Sequence, residues 1–337
     1  MRLFLLGDFI SDNGPGNANK RIRDSLKERL DISYSQKEKK FERIIEAFVG
    51  IIKADVLITC SKSQINYPAI IWAKLLRKKS LYILHGLSSY EEKINNPDIS
   101  ENSLRKMRRY ERFVFDNVDK IVCVSKLAMH FLIEKFPMYT NKVDYIYNVV
   151  DIKDIQRSSE KSVHLRIDHS VMSVGGGMRR KNNLAVARAL SAGIEDGMKV
   201  ALTVVGKASV DGDAIKKYPF VTWIDNLPHD KLFQLMRETK IYIQNSTFET
   251  FGLAIIEALY SGCDILISAN VGCKDLFTTL DDDDVIFDVN DTKEISSKVS
   301  KLLKHGNNQR LRRGFSENFV SADWQCNKIM EIIYGLE

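Results

Sequence analysis

Two glutamates, Glu249 and Glu257, stand in the segment 241–268, whose pattern predicts a strand, a loop, a helix and a strand in that order. With the helix beginning near Thr250, the first carboxylate lies at the helix start and the second lies about 12 Å further along the axis. Two carboxylates so placed could hold the two ends of one long polar ligand. Because both are expected on one helix, the arrangement favours binding over glycoside hydrolysis, which uses two facing carboxylates.

The residues between the two glutamates have the features of an anion site. The backbone amides of Phe251, Gly252 and Leu253 are expected at the start of the helix, where aligned peptide dipoles attract groups such as phosphate. A glycine there lets a ligand come close to the backbone. Ser246 precedes the turn, and we expect it either to cap the turn or to contact the ligand.

A second candidate segment, residues 173–183 with the sequence SVGGGMRRKNN, combines a run of glycines with basic residues. The glycines at 175–177 are interpreted as allowing a ligand to approach the backbone closely, with an ordinary turn as the alternative. The planar donors of a guanidinium suit phosphate oxygens, so Arg179 and Arg180 are candidates for anion binding. The alternative is that both are solvated surface residues.

The composition indicates a globular protein of two domains. A chain of 337 residues is long for one hydrophobic core, and 44% hydrophobic with 28% charged residues is typical of soluble proteins. No apolar run approaches the roughly 18 residues that cross a bilayer, and the opening run MRLFLLGDFI predicts a buried strand instead of a signal peptide. The cysteines are scattered without a CxxC pair, which fits a reducing compartment. We therefore expect a cytoplasmic protein.

Strand-like and helix-like segments alternate in both halves of the chain, on either side of a polar stretch at 151–169 that we expect to be irregular. Such alternation predicts two doubly wound parallel sheets of the Rossmann-like α/β class, in domains at 1–150 and 151–315. The residues 316–337 form a tail with helical spacing of apolar side chains.

Ligands of doubly wound sheets bind at the C-terminal ends of the strands. The polar or glycine-rich residues that follow strands of the first half are therefore site candidates: the loop 12–20, which contains Gly16, then Ser61, His85 and Ser125. The GPGNAN run in this loop lacks the third glycine of a dinucleotide fingerprint, and no acidic residue ends the second strand. A nicotinamide cofactor is therefore not expected.

Positive charge is concentrated in the first half, which carries a net charge of +8 over residues 1–150 against −2 over the remainder. This favours an anionic partner, which could be a phosphate-bearing substrate, an acidic membrane face or nucleic acid. The absence of interleaved aromatic and basic residues disfavours nucleic acid. One helical segment is strongly basic, and it is either a solvated face or a docking face for an anionic leaflet: Arg105, Lys106, Arg108, Arg109 and Arg112.

In their order along the chain, these motifs resemble those of the retaining glycosyltransferases of family 4, whose two facing doubly wound domains and the cleft between them form the GT-B fold. The stretch from Glu249 to Glu257 looks like the Glu-x7-Glu motif of that family, and the segment 173–183 looks like its phosphate-gripping segment. Further matches are the hinge-entry run IYNVVD at 146–151, Gly14-Pro15-Gly16 and His85-Gly86. By the same resemblance, the tail at 316–337 packs as a helix on the first domain.

The resemblance implies roles for these residues towards a nucleotide diphosphate sugar. Glu257 accepts hydrogen bonds from the ribose hydroxyls, and Glu249 accepts them from hydroxyls of the transferred sugar. Lys181 aligns with the lysine that stabilises the departing diphosphate, which is the main electrostatic task of this reaction. His85 lies beside the donor sugar. The catalytic residues are thus expected to be His85, Lys181 and Glu249.

The sequence departs from the family at Gly176, where an arginine is usual. We expect Arg179 or Arg180 to supply the missing guanidinium. The expected donor-binding residues are Gly16, Gly176, Arg179, Arg180, Lys181, Ser246, Phe251, Gly252, Leu253 and Glu257.

The expected protein is a hexosyltransferase-type enzyme that moves a sugar from a nucleotide donor to a saccharide or lipid-linked saccharide. Surface polysaccharide or glycoconjugate synthesis is the expected setting, with peripheral contact to the inner face of the membrane. No Asp-x-Asp motif stands at a strand end, so we expect neither a metal nor another cofactor. The alternative is a catalytically silent GT-B-like subunit that binds or chaperones a partner glycosyltransferase, and it rests on Gly176.

Overall fold

The computed structural model describes residues 1–11, 14–160 and 166–336, which form two compact units. The first unit comprises Met1–Tyr90, Ile99–Val149 and Glu317–Glu337. The second comprises Glu91–Asp98 and Val150–Ser316. No sequence pattern singled out Glu91–Asp98, which comes from the first half of the chain but belongs to the second unit.

Each unit is built around a parallel sheet, which confirms the prediction of two doubly wound sheets. Within the described residues the first sheet has six strands in the order β2-β1-β3-β4-β5-β6. Its strands are β1 (Arg2–Gly7), β2 (Asp31–Tyr34), β3 (Val56–Cys60), β4 (Lys79–Leu84), β5 (Lys120–Cys123) and β6 (Val143–Tyr145). Its helices are α1 (Gly14–Lys27), α2 (Lys40–Lys53), α3 (Asn66–Leu75), α5 (Glu101–Asn117), α6 (Lys126–Lys135) and the C-terminal helix α14 (Ala322–Tyr334), with a 3₁₀ helix at Pro137–Lys142. Helix α4 (Ser88–Asn95) begins in the first unit and belongs to the second unit from Glu91 onward.

Alternate residues of the strands in the first sheet are buried on opposite faces, as the period of a strand requires. Phe4 and Leu6 of β1 belong to a core that also contains side chains of α2, α3 and α5. On the C-terminal helix α14, Gln325 accepts a hydrogen bond from Ser25 of α1 and donates one to the carbonyl of Tyr147. The tail therefore packs within the first unit.

The second sheet also has six strands among the described residues, in the order β12-β11-β10-β7-β8-β9. Its strands are β7 (Ile167–Val174), β8 (Ala201–Val205), β9 (Val221–Ile224), β10 (Thr239–Gln244), β11 (Asp264–Ser268) and β12 (Val285–Ile286). Its helices are α7 (Ile152–Glu160), α8 (Asn183–Glu195), α9 (Gly212–Ile215), α10 (His229–Glu238), α11 (Leu253–Tyr260), α12 (Thr292–Lys304) and α13 (Asn308–Arg313). Short 3₁₀ helices lie at Arg179–Lys181, Lys274–Leu276 and Asp282–Asp284, and another, at Glu317–Val320, leads into α14.

Two segments expected to be irregular are helical. The predicted loop 12–20 is occupied from Gly14 onward by α1, and Asn13 and Asp12 lie outside the described residues. Proline is well tolerated in the first turn of a helix, so Gly14-Pro15 starts α1 and does not form a loop. Gly16 is consequently a buried residue of a first helical turn.

The polar stretch at 151–169 also contains a helix, α7, which the sequence analysis missed. Its only two apolar residues, Ile152 and Ile155, are both buried. A single pair at helical spacing is too short a periodic signal to distinguish from a polar linker.

None of the described helices combines the length and apolar character that a bilayer crossing would need.

Candidate functional site

Glu249 lies in an extended segment after β10, before the helix that carries Glu257. Its amide donates to the carbonyl of Asn270 at 2.9 Å, and its carbonyl accepts from the amide of Gly272 at 2.9 Å. These bonds form an isolated parallel bridge with Val271. The expectation that both glutamates share one helix was therefore wrong, because α11 begins only at Leu253.

The late start of α11 follows from the backbone of Gly252. Its φ of 99° is in the left-handed region, and a Cβ there would lie 2.7 Å from Cδ1 of Ile255. The preceding Phe251 is buried, whereas Leu253 is partly exposed. The chain thus turns sharply at a position that favours glycine, and the predicted helix at Thr250–Gly252 is replaced by this turn.

A buried cation cluster surrounds the carboxylate of Glu249. Lys181 Nζ lies 2.5 Å from Glu249 Oε2, and Arg180 Nη1 lies 3.3 Å from the same oxygen. The three side chains are only 11–15% exposed. Burial alone would raise the pKa of Glu249, but the charges of Lys181 and Arg180 and the amide of Phe251 outweigh it and lower the pKa to about 2. The glutamate is ionised at neutral pH.

The 3₁₀ turn at Arg179–Lys181 is held against the loop that follows β10. The amide of Thr247 donates to the carbonyl of Arg180 at 2.9 Å. The turn ends at Asn182, whose φ is 52° and whose side-chain amide donates to the carbonyl of Val289 at 2.7 Å. Backbone contacts therefore fix the position from which Arg180 and Lys181 reach Glu249.

The two arginines proposed to replace the missing guanidinium occupy different environments. Arg180 is largely buried, with 13% of its side chain exposed; it donates to the carbonyl of Phe248 at 2.9 Å and has Glu91 at 3.6 Å as a second anionic neighbour. The side chain of Arg179 is 42% exposed and lies 3.5 Å from Asp211. Of the two, only Arg180 belongs to the cluster, and the interpretation of it as a solvated surface residue was wrong.

The glycines at 175–177 are required by contacts within the protein. A Cβ on Gly176, whose φ is 57°, would overlap the carbonyl oxygen of Lys207, and one on Gly177 would overlap that of Ala208. Gly206 is constrained in return, since its Cβ would lie 2.6 Å from the amide nitrogen of Gly176. The close neighbour of Gly176 and Gly177 is the backbone at 206–208, whereas a Cβ on Gly175 would overlap the side chain of Lys181. Close approach of a ligand to this run stays a prediction.

Restoring an arginine at position 176 is expected to harm the protein. Gly176→Arg and Gly176→Ala should each lower the free energy of unfolding by about 3 kcal/mol, because overpacking adds to the strain of a left-handed backbone. Urea denaturation measures the loss. Gly197→Ala is the matched control, since its φ is 90° but nothing lies within 4 Å of the added Cβ. It should cost only about 1 kcal/mol, and equal losses for the two alanine variants would contradict the crowding.

Glu257 lies on α11 with 5% of its surface exposed. One carboxylate oxygen is 3.5 Å from Nε2 of His229, whose side chain is half exposed at the start of α10. The imidazole of His229 also contacts the ring of Phe233, with centroids 4.4 Å apart. The sequence analysis missed His229, because it stands at the start of an amphipathic helix with no motif around it.

Ser246 is fully buried and does not cap α11, whose N-cap is Gly252 without a side-chain cap. Its hydroxyl accepts a hydrogen bond from the side-chain amide of Gln244 at 2.6 Å, and the side-chain oxygen of Gln244 accepts one from the hydroxyl of Tyr242 at 2.6 Å. Its own carbonyl accepts from Ser268 at 2.7 Å. The structure thus places the Ser246 hydroxyl in an internal hydrogen-bond chain behind the loop.

In the first unit, three polar side chains meet, two that follow strands and one on helix α1. His85, after β4, has Nε2 2.7 Å from Oδ1 of Asn19 on α1, and the Asn19 amide donates to the Ser61 hydroxyl at 2.8 Å. Ser61 follows β3 with a φ of 89°. His85 and Ser61 were predicted at the sheet's C-terminal edge, and Asn19 lies within the candidate segment 12–20 but was not singled out in it. Ser125, the other candidate, caps α6 by accepting from the amide of Ala128.

His85 is expected to be neutral at neutral pH, since burial lowers its pKa from 6.5 to about 4. The neutral ring donates from Nε2 to Asn19. The unfolded chain binds a proton at His85 more strongly than the folded chain does. The stability linked to this lowered pKa is therefore complete above about pH 6.5 and falls as the pH drops towards 4. The wild type should therefore lose about 2 kcal/mol more unfolding free energy than His85→Gln between about pH 7 and 5. Urea denaturation measures this, and parallel pH curves would contradict it.

Among the described residues, no group of three or more His, Cys, Asp or Glu side chains is arranged to hold a metal ion.

Two Rossmann-like units, each with a parallel sheet, are the architecture of the GT-B glycosyltransferases. Family models match both halves of the chain: Glycosyltransferase Family 4 over residues 20–154 and Glycosyl transferases group 1 over residues 171–319. The chain belongs to the family 4 glycosyltransferases.

Solved structures share the fold across nearly the whole chain. Anabaena HepE in complex with UDP-glucose has a TM-score of 0.68 at 13% identity and covers 99% of this chain and 100% of that one. Sucrose-phosphate synthase from Thermosynechococcus elongatus has a TM-score of 0.68 at 15% identity, and the match covers 100% of both chains. The UDP-forming alpha,alpha-trehalose-phosphate synthase of Burkholderia xenovorans, in complex with glucose-6-phosphate, has a TM-score of 0.71 at 10% identity. The match covers 99% of this chain and 100% of that one. At such identities the likeness shows the fold alone.

A curated relative comes from Campylobacter jejuni: the N-acetylgalactosamine-N,N'-diacetylbacillosaminyl-diphospho-undecaprenol 4-alpha-N-acetylgalactosaminyltransferase. It is 21% identical over 211 residues, which cover 60% of this chain and 54% of that protein. The match thus spans about half the length of this relative.

Proposed function

We propose that this protein is a retaining glycosyltransferase that moves a sugar from a nucleoside diphosphate sugar to a saccharide or lipid-linked saccharide. The observation that carries the proposal is the buried contact of Lys181 and Arg180 with Glu249. A departing diphosphate gains negative charge, and fixed cations in a site of low dielectric constant favour that change. The relatives support the class of donor and acceptor, since one was solved with UDP-glucose and another acts on a diphospho-undecaprenol-linked sugar.

The proposed roles divide between the two ends of the donor. Glu249 is ionised and accepts hydrogen bonds from sugar hydroxyls, while Glu257 accepts them from the ribose. Leu253 and its neighbours present helix-start amides to the diphosphate, although Phe251 and Gly252 are themselves buried. Lys181 and Arg180 supply positive charge, so we propose a reaction that needs neither a metal nor another cofactor.

The first unit is proposed to contribute His85. Its neutral imidazole, held by Asn19, can take part in hydrogen bonding to the donor sugar but cannot supply an imidazolium proton at neutral pH. Gly16 is buried in the first turn of the helix that carries Asn19, and we propose it as a donor-binding residue. By resemblance to family 4, we propose retention by front-side displacement.

The proposed setting is surface polysaccharide or glycoconjugate synthesis in the cytoplasm, at the inner face of the membrane. The scattered cysteines support a reducing compartment. The basic residues named on α5 are all exposed, and their charge supports contact with anionic lipid. They are Arg105, Lys106, Arg108, Arg109 and Arg112. A lipid-linked acceptor would be presented at such a surface.

The test is release of nucleoside diphosphate from a panel of UDP-, GDP-, dTDP- and ADP-sugars, offered with saccharide and lipid-linked acceptors. Thermal-shift measurements with UDP, GDP, dTDP and ADP identify the nucleotide beforehand, because a ligand that binds the folded state raises the melting temperature. Turnover with one donor, and an anomeric product of unchanged configuration by NMR, is the expected result. Nucleotide binding without turnover for every pair would favour the silent GT-B-like subunit that the missing arginine at Gly176 suggests.

A further inference from the structure

A cavity of about 610 Å³ lies in the second unit, between the end of α8 and helix α12. Its volume is within the range of about 300–1,000 Å³ that small-molecule sites occupy. The two helices approach each other closely beside it, since a Cβ on Gly193 would lie 2.6 Å from Oγ of Ser296 and 2.6 Å from Cε of Met198. We call this cavity the α8–α12 groove.

The α8–α12 groove is separate from the cluster around Glu249. His169, near the beginning of β7, lines the groove, whereas the turn at Arg179–Lys181 follows the end of that strand. From His169 to the strand end at Gly175 the distance is about 20 Å, at 3.3 Å per strand residue. Lys199, which precedes β8, also lines the groove. The groove therefore lies towards the N-terminal ends of these strands, away from the candidate donor site.

Helix α12 presents a polar stripe to the α8–α12 groove. Lys293 and Lys304 lie near the two ends of the stripe, eleven positions apart, and residues at such spacing share one face of a helix. Their Cα atoms are therefore about 16 Å apart along the helix axis. The positions between and beside them carry small side chains with hydroxyl groups, which leave room for a ligand and offer it hydrogen bonds. These residues are Thr292, Ser296, Ser297 and Ser300.

The lysines of the groove differ from the other lysines of α12. Lys298 lies 2.6 Å from Glu294, and Lys301 lies 2.7 Å from Asp283. By contrast, Lys293, Lys304 and Lys199 have no hydrogen-bonded or ionic partner for their ammonium groups among the described residues. The positive charge that faces the groove is thus left for an external anion, while the charge elsewhere on the helix is neutralised within the protein.

The composition of the lining limits the class of ligand. Three lysines line the groove against one carboxylate, that of Asp196, although residues 151–337 as a whole carry a net charge of −2. Ammonium groups bind phosphate well. Within the described residues the imidazole of His169 is the only aromatic ring in the lining, so the groove lacks the stacking surface that a nucleotide base prefers.

We propose that the α8–α12 groove binds a sugar bisphosphate. The separated lysines of α12 suit two phosphate groups at opposite ends of one ligand, and the hydroxyl groups between them suit its sugar hydroxyls. A single inorganic diphosphate fits less well, because its charges lie side by side and cannot meet both lysines. The proposal is independent of the proposed function, because this binding can be measured without a donor or an acceptor.

The test is isothermal titration of the full chain with fructose 1,6-bisphosphate as the probe, in a buffer without phosphate. The wild type should bind it with a Kd below about 1 mM. Glucose 6-phosphate and inorganic pyrophosphate should each bind roughly tenfold more weakly or worse, because each lacks one part of the proposed ligand. The double variant Lys293→Gln, Lys304→Gln should weaken binding of the bisphosphate about tenfold, since two ion pairs are lost.

A second variant tests the groove without removing a lysine. Ser297→Glu places a carboxylate four positions from Lys293, where it can pair with that lysine and repel phosphate. It should also weaken binding of the bisphosphate about tenfold. Ser297 is exposed, so the substitution buries no charge. The melting temperature without ligand should match that of the wild type in both groove variants, which shows that they are folded.

Matched controls make the same changes of charge elsewhere in the second unit. Lys153→Gln, Lys217→Gln removes two exposed lysines outside the groove, and Gln309→Glu adds a carboxylate at an exposed position of α13. Both controls should bind the bisphosphate like the wild type. A control that loses as much affinity as the matching groove variant would contradict the site, because the loss would then follow from net charge alone.

Three further results would overturn the proposal. The first is a wild type that does not bind fructose 1,6-bisphosphate. The second is a pair of folded groove variants that bind it as tightly as the wild type, which would place the ligand elsewhere on the protein. The third is inorganic pyrophosphate binding as tightly as the bisphosphate, which would show an anion site that does not recognise a sugar.

Discussion

Replacing Lys181 by alanine is expected to lower the turnover number about 100- to 1000-fold, the loss that follows removal of one group stabilising transition-state charge. Its ammonium group lies 2.5 Å from Glu249 Oε2, in a cluster where Arg180 is the other cation. Negative charge on the diphosphate grows as the glycosidic bond breaks, so the lysine interacts more strongly with the transition state than with the bound donor. The turnover number should therefore fall far more than KM changes, as steady-state rates of nucleoside diphosphate release would show.

Arg179→Ala is the matched control for this loss. It removes a cation from the same 3₁₀ turn, but one whose side chain is 42% exposed and whose ion-pair partner in the described part of the chain is Asp211 at 3.5 Å. An exposed pair of this kind contributes little, so turnover should change by no more than about twofold. A Lys181→Ala enzyme that keeps more than about a tenth of wild-type turnover would contradict the role given to the lysine.

Replacing Glu249 by alanine is expected to lower the free energy of unfolding by about 3–5 kcal/mol, because Lys181 loses its carboxylate partner and Arg180 keeps only the more distant Glu91 among its ion-pair partners in the described residues. Glu249→Gln, which keeps the shape but not the charge, should be less stable than the wild type and more stable than the alanine variant. Both should lose turnover, since hydroxyl groups bind a carboxylate more strongly than an amide. Urea denaturation and nucleotide release measure the two effects.

The stability effect of Glu249 should depend on pH in a defined direction. The pKa of this carboxyl is lowered from 4.5 to about 2 in the folded protein. Its contribution is therefore complete above about pH 4.5 and is lost as the pH falls towards about 2, so wild type and Glu249→Gln should converge in acid. Glu195→Ala, at an exposed position of α8, should change stability by less than about 0.5 kcal/mol. A loss below about 1 kcal/mol for Glu249→Ala would contradict the buried ion cluster.

The sequence was sufficient for the fold class and for most of the cation cluster. Two rounds of strand and helix alternation predicted both parallel sheets, because this periodicity is repeated over many residues. Lys181, Arg180 and Glu249 were each named as candidates, and the structure brings them together. The contact itself joins residues 68 positions apart in sequence, and no spacing rule predicts which of Arg179 and Arg180 reaches the carboxylate.

The features that sequence reasoning missed depend on single positions or on tertiary packing. The helix was expected from Thr250, but the backbone of Gly252 delays it, and the left-handed φ of one glycine leaves no periodic signal. Asn19 and His229 acquire partners only through folding, at Ser61, His85 and Glu257.

The mutual crowding of Gly176 and Gly206 also limits which mutations this protein can accept during evolution. An arginine at position 176 is acceptable only if the backbone at 206–208 first moves away, so the two sites cannot change independently. Mutations at such coupled sites are non-additive, and a change that is harmful alone becomes tolerable in the altered background. We expect relatives with arginine at the equivalent of 176 to carry a differently built loop at the equivalent of 206–208. A chimaera that takes both segments from such a relative should accept the arginine, whereas the single substitution should not.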